Sequence, residues 1–161
     1  MLAFTCDLRA VAQGLIGVAR RQGAAHVLVD AQHTRNTPTQ QAALANMARE
    51  QVRVKLGWGR PLLGTYLRAN PQGALAGRSG HLRAKVLLTR SHMIVGSTKF
   101  STGSQANEEV AVEILLSPQG ACQGHQHFMS LWDRAQAYEP DRDAGRTRNP
   151  NTRNRGRSAH Q

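Results

Sequence analysis

The sequence predicts an α/β domain, a mixed sheet with helices on both faces. Two helix–strand units open the chain, and in each unit an apolar strand follows the helix almost directly. Two further apolar strands joined by a tight turn, and a third strand with alternating apolar residues, come later in the chain. The 161 residues, 40% of them hydrophobic, are enough for one domain with a buried core.

The first unit begins at the N-terminus. A short apolar run at residues 2–5 suits the end of a strand, and Asp7 can cap a helix that begins at Leu8. Apolar residues recur at helical spacing until Gly23 predicts the helix end, and a buried strand then ends at Asp30. The arginines of this segment also fit a mitochondrial presequence, but the strand that follows favours a helix of the domain.

The second unit repeats this order. Thr37 and Gln40 predict a capping box, with Pro38 at the first helical position. The alternating residues 52–56 predict a half-exposed strand. A Gly-rich segment, residues 57–80, follows as a loop, and loops of this length are usually functional or disordered.

The second half of the chain contains the remaining elements: strands at residues 83–89, 93–96 and 109–116, a polar connection at residues 97–107, and a helix from Ser117 onward. After these elements the chain is rich in Arg, Pro, Gly and Asn and has almost no large apolar side chain. We therefore predict a domain at residues 1–138 and a disordered basic tail at residues 139–161.

The net charge of the chain indicates which kinds of partner it can bind. A formal net charge of +11 and a pI of about 11.3 favour nucleic acid or an anionic membrane surface, although an arginine-rich tail alone also accounts for them. Cys6 and Cys122 lie far apart in the sequence, which favours two free thiols in a reducing compartment over a disulfide and predicts an intracellular protein. No apolar run approaches the ~20 residues that span a bilayer.

Polar residues follow the predicted strands of the second half. Lys85 lies on one strand, and the next strand ends in Gly96-Ser97, where a glycine permits close approach of an anion and a hydroxyl can donate to a phosphate oxygen. Asn107 and Glu109 return polar groups just before another strand. These residues together predict a phosphate cradle at strand ends.

This segment resembles the signature of the phospholipase D superfamily, which is His-x-Lys, four residues, Asp, then Gly-Ser-x-Asn, then Ser, Asn and Glu. With Lys85 as the family lysine, five further positions agree in spacing: Gly96, Ser97, Ser104, Asn107 and Glu109. The resemblance covers roughly residues 3–137 and is closest to the one-motif members, such as endonuclease-type and cardiolipin hydrolase-like proteins. It implies a phosphodiesterase that acts on phospholipid or nucleic acid as a homodimer without metal or cofactor, in the cytoplasm or on the mitochondrial surface.

Three positions depart from that signature. Arg83 stands where the family has its histidine, Arg90 where it has its aspartate, and Lys99 where it has its asparagine. The resemblance implies that the histidine attacks phosphorus and that a second copy's histidine protonates the leaving group. An arginine does neither near neutral pH, since its pKa exceeds about 12. The residues predict a phosphate-binding set of Arg83, Lys85, Ser97, Lys99 and Asn107.

His81 is the one nearby residue that could replace the missing histidine, and the candidate catalytic set is therefore His81, Lys85 and Glu109. In a strand, His81 and Arg83 share a face but stand ~6.6 Å apart. Nucleophilic attack needs about 3–3.5 Å, so a direct replacement requires a rearranged strand. The alternative is an exposed histidine at a loop end.

Two functions stay open on the sequence alone. One is a phospholipase D-like phosphodiesterase, and the other is a non-catalytic module that binds nucleic acid or anionic lipid. The superfamily also begins with a strand and a helix before the position that Phe4 and Thr5 resemble. Only three residues precede Phe4 here, so we expect that N-terminal strand to be absent and the sequence to be a fragment. The absence would leave a sheet edge open, and we expect reduced stability or a partner that covers this edge.

Overall fold

A computed structural model of the protein describes residues 1–3, 5–58, 81–97 and 99–140. These residues form a seven-stranded sheet with helices against both faces. In chain order the elements are β1 (Leu2–Ala3), α1 (Arg9–Arg20), β2 (His26–Asp30), α2 (Ala31–Arg35), α3 (Pro38–Arg49), β3 (Arg53–Gly57), β4 (Lys85–Leu88), β5 (His92–Gly96), a 3-10 helix (Thr102–Ala106), β6 (Ala111–Leu115), α4 (Pro118–Asp133) and β7 (Gln136–Ala137). The predicted mixed α/β fold is confirmed.

The strand directions decide which chain ends meet. The strand order is β6-β5-β4-β1-β2-β3-β7, in which β1, β2 and β3 are parallel and every other neighbouring pair is antiparallel. The carboxyl ends of β1, β2, β3 and β5 therefore lie at the same edge as the amino ends of β4 and β6. We call this edge, where Asp30, Lys85 and Gly96 lie, the carboxyl edge.

The core has two layers, one on each side of the sheet. On one side, α1 and α3 cover alternate residues of the parallel strands; the buried set includes Ile16, Val27, Val29, Leu44, Met47 and Leu56. On the other side α4 packs against the remaining alternate residues through Leu2, Leu28, Leu82, Phe128 and Trp132. Phe128 and Trp132 stack with ring centroids 5.7 Å apart, which anchors α4 to the sheet.

β1 is an inner strand of the sheet. Leu2 pairs with Leu28 on the parallel side and with Val86 on the antiparallel side, so β1 lies in the middle of the sheet. The missing N-terminal strand is a different one that would precede β1, and its absence stays a prediction. Over the described residues, the outer strands are β6 and β7.

The start of α1 differs from the prediction because Asp7 has other partners. Leu8 is the residue that precedes the helix. The Asp7 carboxylate accepts hydrogen bonds of 3.1 Å from the Thr39 hydroxyl and of 3.1 Å from the Thr102 backbone N–H. It thus connects the chain before α1 to α3 and to the 3-10 helix instead of capping its own helix.

The predicted start of α3 is correct, but the capping box is wrong. Thr37 precedes the helix and Pro38 is its first residue, as expected. The Gln40 side chain is buried, where its oxygen accepts from the Cys6 backbone N–H at 3.2 Å and its nitrogen donates to the Thr34 hydroxyl at 2.6 Å. Gln40 thereby joins the N-terminal segment to α2, a helix that the sequence patterns did not predict.

β4 begins at Lys85, two residues later than expected. Leu82 is buried against the α4 side of the sheet, and its backbone N–H is bound by the Asp30 side chain instead of by a neighbouring strand. The strand spacing used for His81 and Arg83 therefore does not apply, since both precede the strand.

Several predictions fall partly or wholly outside the described residues. Most of the Gly-rich segment, residues 59–80, lies there, and so does the tail from residue 141. The domain boundary at residue 138 stays a prediction. Across the part of the chain that is described, no helix combines the length and apolar character needed to cross a membrane.

Candidate functional site

A buried carboxylate organises the carboxyl edge. Asp30, the last residue of β2, is only 1% exposed. Its Oδ1 accepts a 2.7 Å hydrogen bond from the His33 backbone N–H, and its Oδ2 accepts one of 2.7 Å from the Leu82 backbone N–H. The Nδ1 of His81 lies 3.3 Å from the same Oδ1. One side chain therefore holds α2 and the segment before β4 together.

A cavity of about 400 Å³ opens at this edge, lined by Thr5, Asp7, His33, Lys99, Ser101, Gly103 and Asn107. The residues come from the segment between β1 and α1, from α2 and from the connection between β5 and β6. Lys99 and Asn107 are exposed, so their polar groups are accessible to a ligand.

His33 is the most perturbed titratable group of this cavity. Burial lowers the pKa of His33 below its usual value, and the nearby charges of His81 and Lys99 act in the same direction. The carboxylates of Asp30 and Asp7 oppose this shift. The balance favours the neutral imidazole in the folded protein.

Ser97 and Glu109 form a pair beside the cavity. The Ser97 hydroxyl donates to the Glu109 carboxylate and accepts from the Val110 backbone N–H at 3.1 Å. The Ser97 backbone N–H donates to the Val110 carbonyl at 2.9 Å. Ser97 therefore stabilises the junction between β5 and β6, whereas the sequence predicted a hydroxyl directed at phosphate.

Gly96 also has a structural use. A Cβ atom at this position would lie 2.7 Å from the Cα of Ala111 and would contact the Val110 carbonyl as well. The close approach expected here from an anion is made by the backbone that leads into β6.

Comparison with known proteins gives a fold assignment. No protein-family model and no curated protein sequence matches the chain. Nuc from Salmonella typhimurium, a phospholipase D family member, superposes with a TM-score of 0.64 at 17% identity, over 85% of this chain and 77% of Nuc. NucT from Helicobacter pylori superposes with a TM-score of 0.68 at 14% identity, over 84% of this chain and 79% of NucT. The chain has the phospholipase D fold.

The residues that resemble the phospholipase D signature lie along the carboxyl edge. Lys85 is the first residue of β4, and its Nζ lies 3.4 Å from the Arg83 carbonyl. Arg83 is exposed. Neither Lys85 nor Arg83 lines the cavity, but Lys99 and Asn107 do.

The phospholipase D signature did not indicate Asp30, His33, Thr5 or Asp7. A signal for Asp30 and His33 was present, because a buried strand ended in an aspartate and a histidine followed three residues later. The contact between Asp30 and His81 could not be inferred, since the two residues are 51 positions apart in the chain.

The described residues do not bring three or more His, Cys, Asp or Glu side chains together in a group that could hold a metal ion. The polar groups at this edge of the phospholipase D fold are hydrogen-bond donors, imidazoles and ammonium groups. Such groups can bind an anionic oxygen and can transfer protons.

Proposed function

We propose that this chain is a phosphodiester-binding domain that holds its ligand at the carboxyl edge, in the cavity of Lys99 and Asn107. The observation that carries the proposal is the convergence of an exposed ammonium group, an exposed amide and an imidazole on one cavity of the phospholipase D fold. A phosphodiester carries one negative charge and two free oxygens, which these donors complement.

The acidic groups near the cavity have hydrogen-bond partners within the protein. Both oxygens of Asp7 accept hydrogen bonds, from Thr39 and from Thr102. Glu109 accepts from the Ser97 hydroxyl. Because these carboxylates are already engaged by protein donors, Lys99 is available to a phosphate.

The cations around the edge extend the same surface. Arg83 is exposed immediately before β4, and Lys85 is the first residue of that strand. A formal net charge of +11 adds long-range attraction for a polyanion. We propose that Arg83, in the position of the family histidine, contributes binding and not nucleophilic attack.

A salt titration tests this proposal. Binding of a fluorescein-labelled single-stranded oligonucleotide is followed by anisotropy, and the affinity is expected to fall linearly with the logarithm of salt concentration. Lys99→Ala is expected to weaken binding about 10-fold, or ~1.4 kcal/mol, and to reduce the salt slope by about 0.7. Arg49→Ala is the matched control, because it removes one exposed cation at the end of α3, at the opposite edge of the sheet.

Two results would contradict phosphodiester binding at this site. One is an oligonucleotide affinity that does not change with salt concentration, and the other is an equal loss of affinity in Lys99→Ala and Arg49→Ala. The same variants measured on vesicles of phosphatidylglycerol distinguish the source of the phosphodiester. Tighter binding to the oligonucleotide assigns a nucleic-acid ligand, and tighter binding to the vesicles assigns a phospholipid.

We also propose that two copies of the chain pair through the β5–β6 side of the sheet. Val95 on β5 pairs with Val112 on β6, and their side chains lie on one face of the sheet. Both side chains are exposed, at 38% and 56%, so α4 does not cover this end of the sheet. Val110 and Ile114 share this face, at 73% and 39% exposure. These four exposed apolar side chains form a patch that favours contact with an apolar surface of a partner.

A second copy suits this patch because β6 is an outer strand and is self-complementary. Antiparallel pairing of two β6 strands about Val112 would place Val110 opposite Ile114 and Ala111 opposite Glu113. This register extends the apolar patch across both copies and keeps the two Glu113 carboxylates apart.

Analytical ultracentrifugation tests the dimer. The unmodified protein is expected to sediment as a dimer at micromolar concentration, and Val112→Glu is expected to sediment as a monomer. Ala42→Glu places the same charge on the exposed side of α3 and is expected to remain dimeric. A monomeric unmodified protein, or a dimeric Val112→Glu variant, would reject this interface.

A further inference from the structure

Trp58 is an exposed aromatic residue at the carboxyl edge. It directly follows the last residue of β3 and is 38% exposed. The guanidinium of Arg35, the last residue of α2, lies over the indole, with its Cζ atom 5.4 Å from the ring centroid. The pair therefore presents an aromatic ring to solvent with a cation held against it.

Arg35 has no acidic partner in the described part of the chain. The ion pairs there join Arg20 to Glu50 and His81 to Asp30. The buried Nε atom of Arg35 has no hydrogen-bond partner among the same residues. The sequence that continues from Trp58, residues 59–80, contains three arginines and no aspartate or glutamate. Because no described carboxylate is paired with this guanidinium, its charge remains to attract an anionic ligand.

The short helix α2 joins this pair to the cavity of the proposed phosphodiester site. His33, which lines the cavity, precedes Arg35 by two residues on α2, a rise of only ~3 Å along the helix axis. Strand β3 lies two strand spacings, or ~10 Å, from β1, and the segment after β1 also lines the cavity. A polymer with one phosphate in the cavity can therefore reach Trp58 with a group on a neighbouring unit.

The chemistry of the pair favours a nucleobase. Every base has a flat π-face that stacks on an aromatic ring, and an arginine adds a cation–π contribution. A membrane contact instead needs several apolar side chains on one face. The other large apolar side chains exposed in the described residues lie on α1 or at β5 and β6, and β5 is four strands away from β3. Trp58 therefore suits one planar ring better than a lipid surface.

We propose that Trp58 and Arg35 form a stacking platform for a base of single-stranded nucleic acid whose backbone is bound in the cavity of Lys99 and Asn107. This inference rests on the phosphodiester binding proposed above and assigns the class of its ligand. The base stacks on the indole, and the guanidinium supports the indole and attracts the strand. Because all bases have a π-face, binding is expected to depend little on base sequence.

The experiment compares two labelled strands of equal charge. One is an oligothymidylate, and the other is the same sugar–phosphate chain without bases; both are titrated by fluorescein anisotropy. The unmodified protein is expected to bind the oligothymidylate about 10-fold more tightly than the abasic strand. Trp58→Ala is expected to remove this difference by weakening only the binding of the oligothymidylate. The salt slope should stay unchanged, since the variant removes no cation.

Further variants separate stacking from apolar contact. Trp58→Leu keeps an apolar side chain without a ring and should lose affinity as Trp58→Ala does, whereas Trp58→Phe should stay within about 3-fold of the unmodified protein. Val18→Ala is the matched control, because Val18 is 37% exposed on α1, and it should bind both strands normally.

Tryptophan fluorescence gives a direct readout of stacking. The oligothymidylate should quench the fluorescence of the unmodified protein, and the abasic strand should not. In Trp58→Phe only the buried Trp132 remains, so the quenching should be absent.

The outcomes distinguish the platform from the phosphodiester site. Equal affinities for the two strands, or equal affinities of the unmodified protein and Trp58→Ala for the oligothymidylate, overturn the platform. If Lys99→Ala still weakens binding in that case, the phosphodiester site stands without it. A Trp58→Ala variant that loses affinity for phosphatidylglycerol vesicles but not for the oligothymidylate overturns the platform in favour of a lipid contact. If neither the strands nor the vesicles bind, the proposed function fails, and the platform fails with it.

Discussion

The Asp30 carboxylate accepts a 2.7 Å hydrogen bond from the Leu82 backbone N–H, although 52 residues separate them in the chain. The same side chain accepts from the His33 backbone N–H, at the start of α2. Replacing Asp30 with Ala would leave two N–H donors without their partner, one of them buried. We expect Asp30→Ala to lower the free energy of unfolding by about 2–4 kcal/mol.

Urea denaturation followed by tryptophan fluorescence measures this loss. Asp133→Ala is the control, since it removes an exposed carboxylate at the end of α4 and should change the free energy of unfolding by less than ~0.5 kcal/mol. Equal stabilities of Asp30→Ala and Asp133→Ala would show that the Asp30 contacts contribute nothing to folding.

Gly96 is expected to tolerate no side chain. A Cβ atom there would lie 2.7 Å from the Cα of Ala111, a backbone atom of the neighbouring strand. Gly96→Ala should therefore destabilise the protein by about 1–3 kcal/mol through overpacking between β5 and β6. Thermal unfolding followed by circular dichroism measures the effect.

Gly14 provides the opposite case. It lies inside α1, and a Cβ atom there would have no neighbour within 4 Å among the described residues. Gly14→Ala should stabilise the protein by about 0.5–1 kcal/mol, because alanine loses less backbone freedom in a helix. A destabilised Gly14→Ala variant would contradict the packing of α1 described above.

The two thiols should differ in reactivity. Burial raises the pKa of Cys6 to about 12, whereas Cys122 is exposed. An aromatic disulfide reagent at pH 8 should therefore modify one thiol in the folded protein and both thiols in denaturant. Cys122→Ser should abolish the reaction of the folded protein, and a rapid reaction of that variant would place Cys6 at the surface.

Acid should weaken the fold through His26. Burial lowers its pKa, with the Arg53 charge acting in the same direction, and its ring lies edge-on to Trp132 at 4.9 Å. Because the unfolded chain binds a proton more readily, this part of the stability is complete above pH 6.5 and is lost as the pH falls below it. Urea unfolding between pH 7.5 and 5 measures the slope, which should be shallower for His26→Gln. An unchanged slope would exclude this role.

Sequence periodicity predicted most of the secondary structure. The helical spacing before Gly23 and after Pro38 corresponds to α1 and α3. The buried apolar run that ends at Asp30 corresponds to β2, and the alternating residues 52–56 correspond to β3. The helices α1 and α3 bury one face each and show a helical spacing of apolar residues, whereas β2 is buried on both faces and shows a continuous apolar run. The spacing from Lys85 to Glu109 also indicated the phospholipase D fold, since those residues are close in the chain and lie on β4, on β5 or just before β6.

Helix caps were predicted less well, because polar side chains had better partners elsewhere. Asp7 binds Thr102, which is 95 residues away, and the buried Gln40 binds the Cys6 backbone. Local motifs cannot reveal such competition, since a side chain satisfies whichever donor the tertiary structure brings near.

The sequence by itself determined the α/β elements, the run of polar residues from Lys85 to Glu109, and the absence of the family histidine at Arg83. Only the tertiary structure decided that His33 and His81 contact the same carboxylate. The parallel strands β1, β2 and β3 and the antiparallel β4 bring distant chain segments to one edge of the sheet. A buried carboxylate needs hydrogen-bond donors, and Asp30 accepts from the backbone N–H groups of His33 and Leu82. These two donors lie in distant parts of the chain, so no local sequence pattern predicts their shared partner.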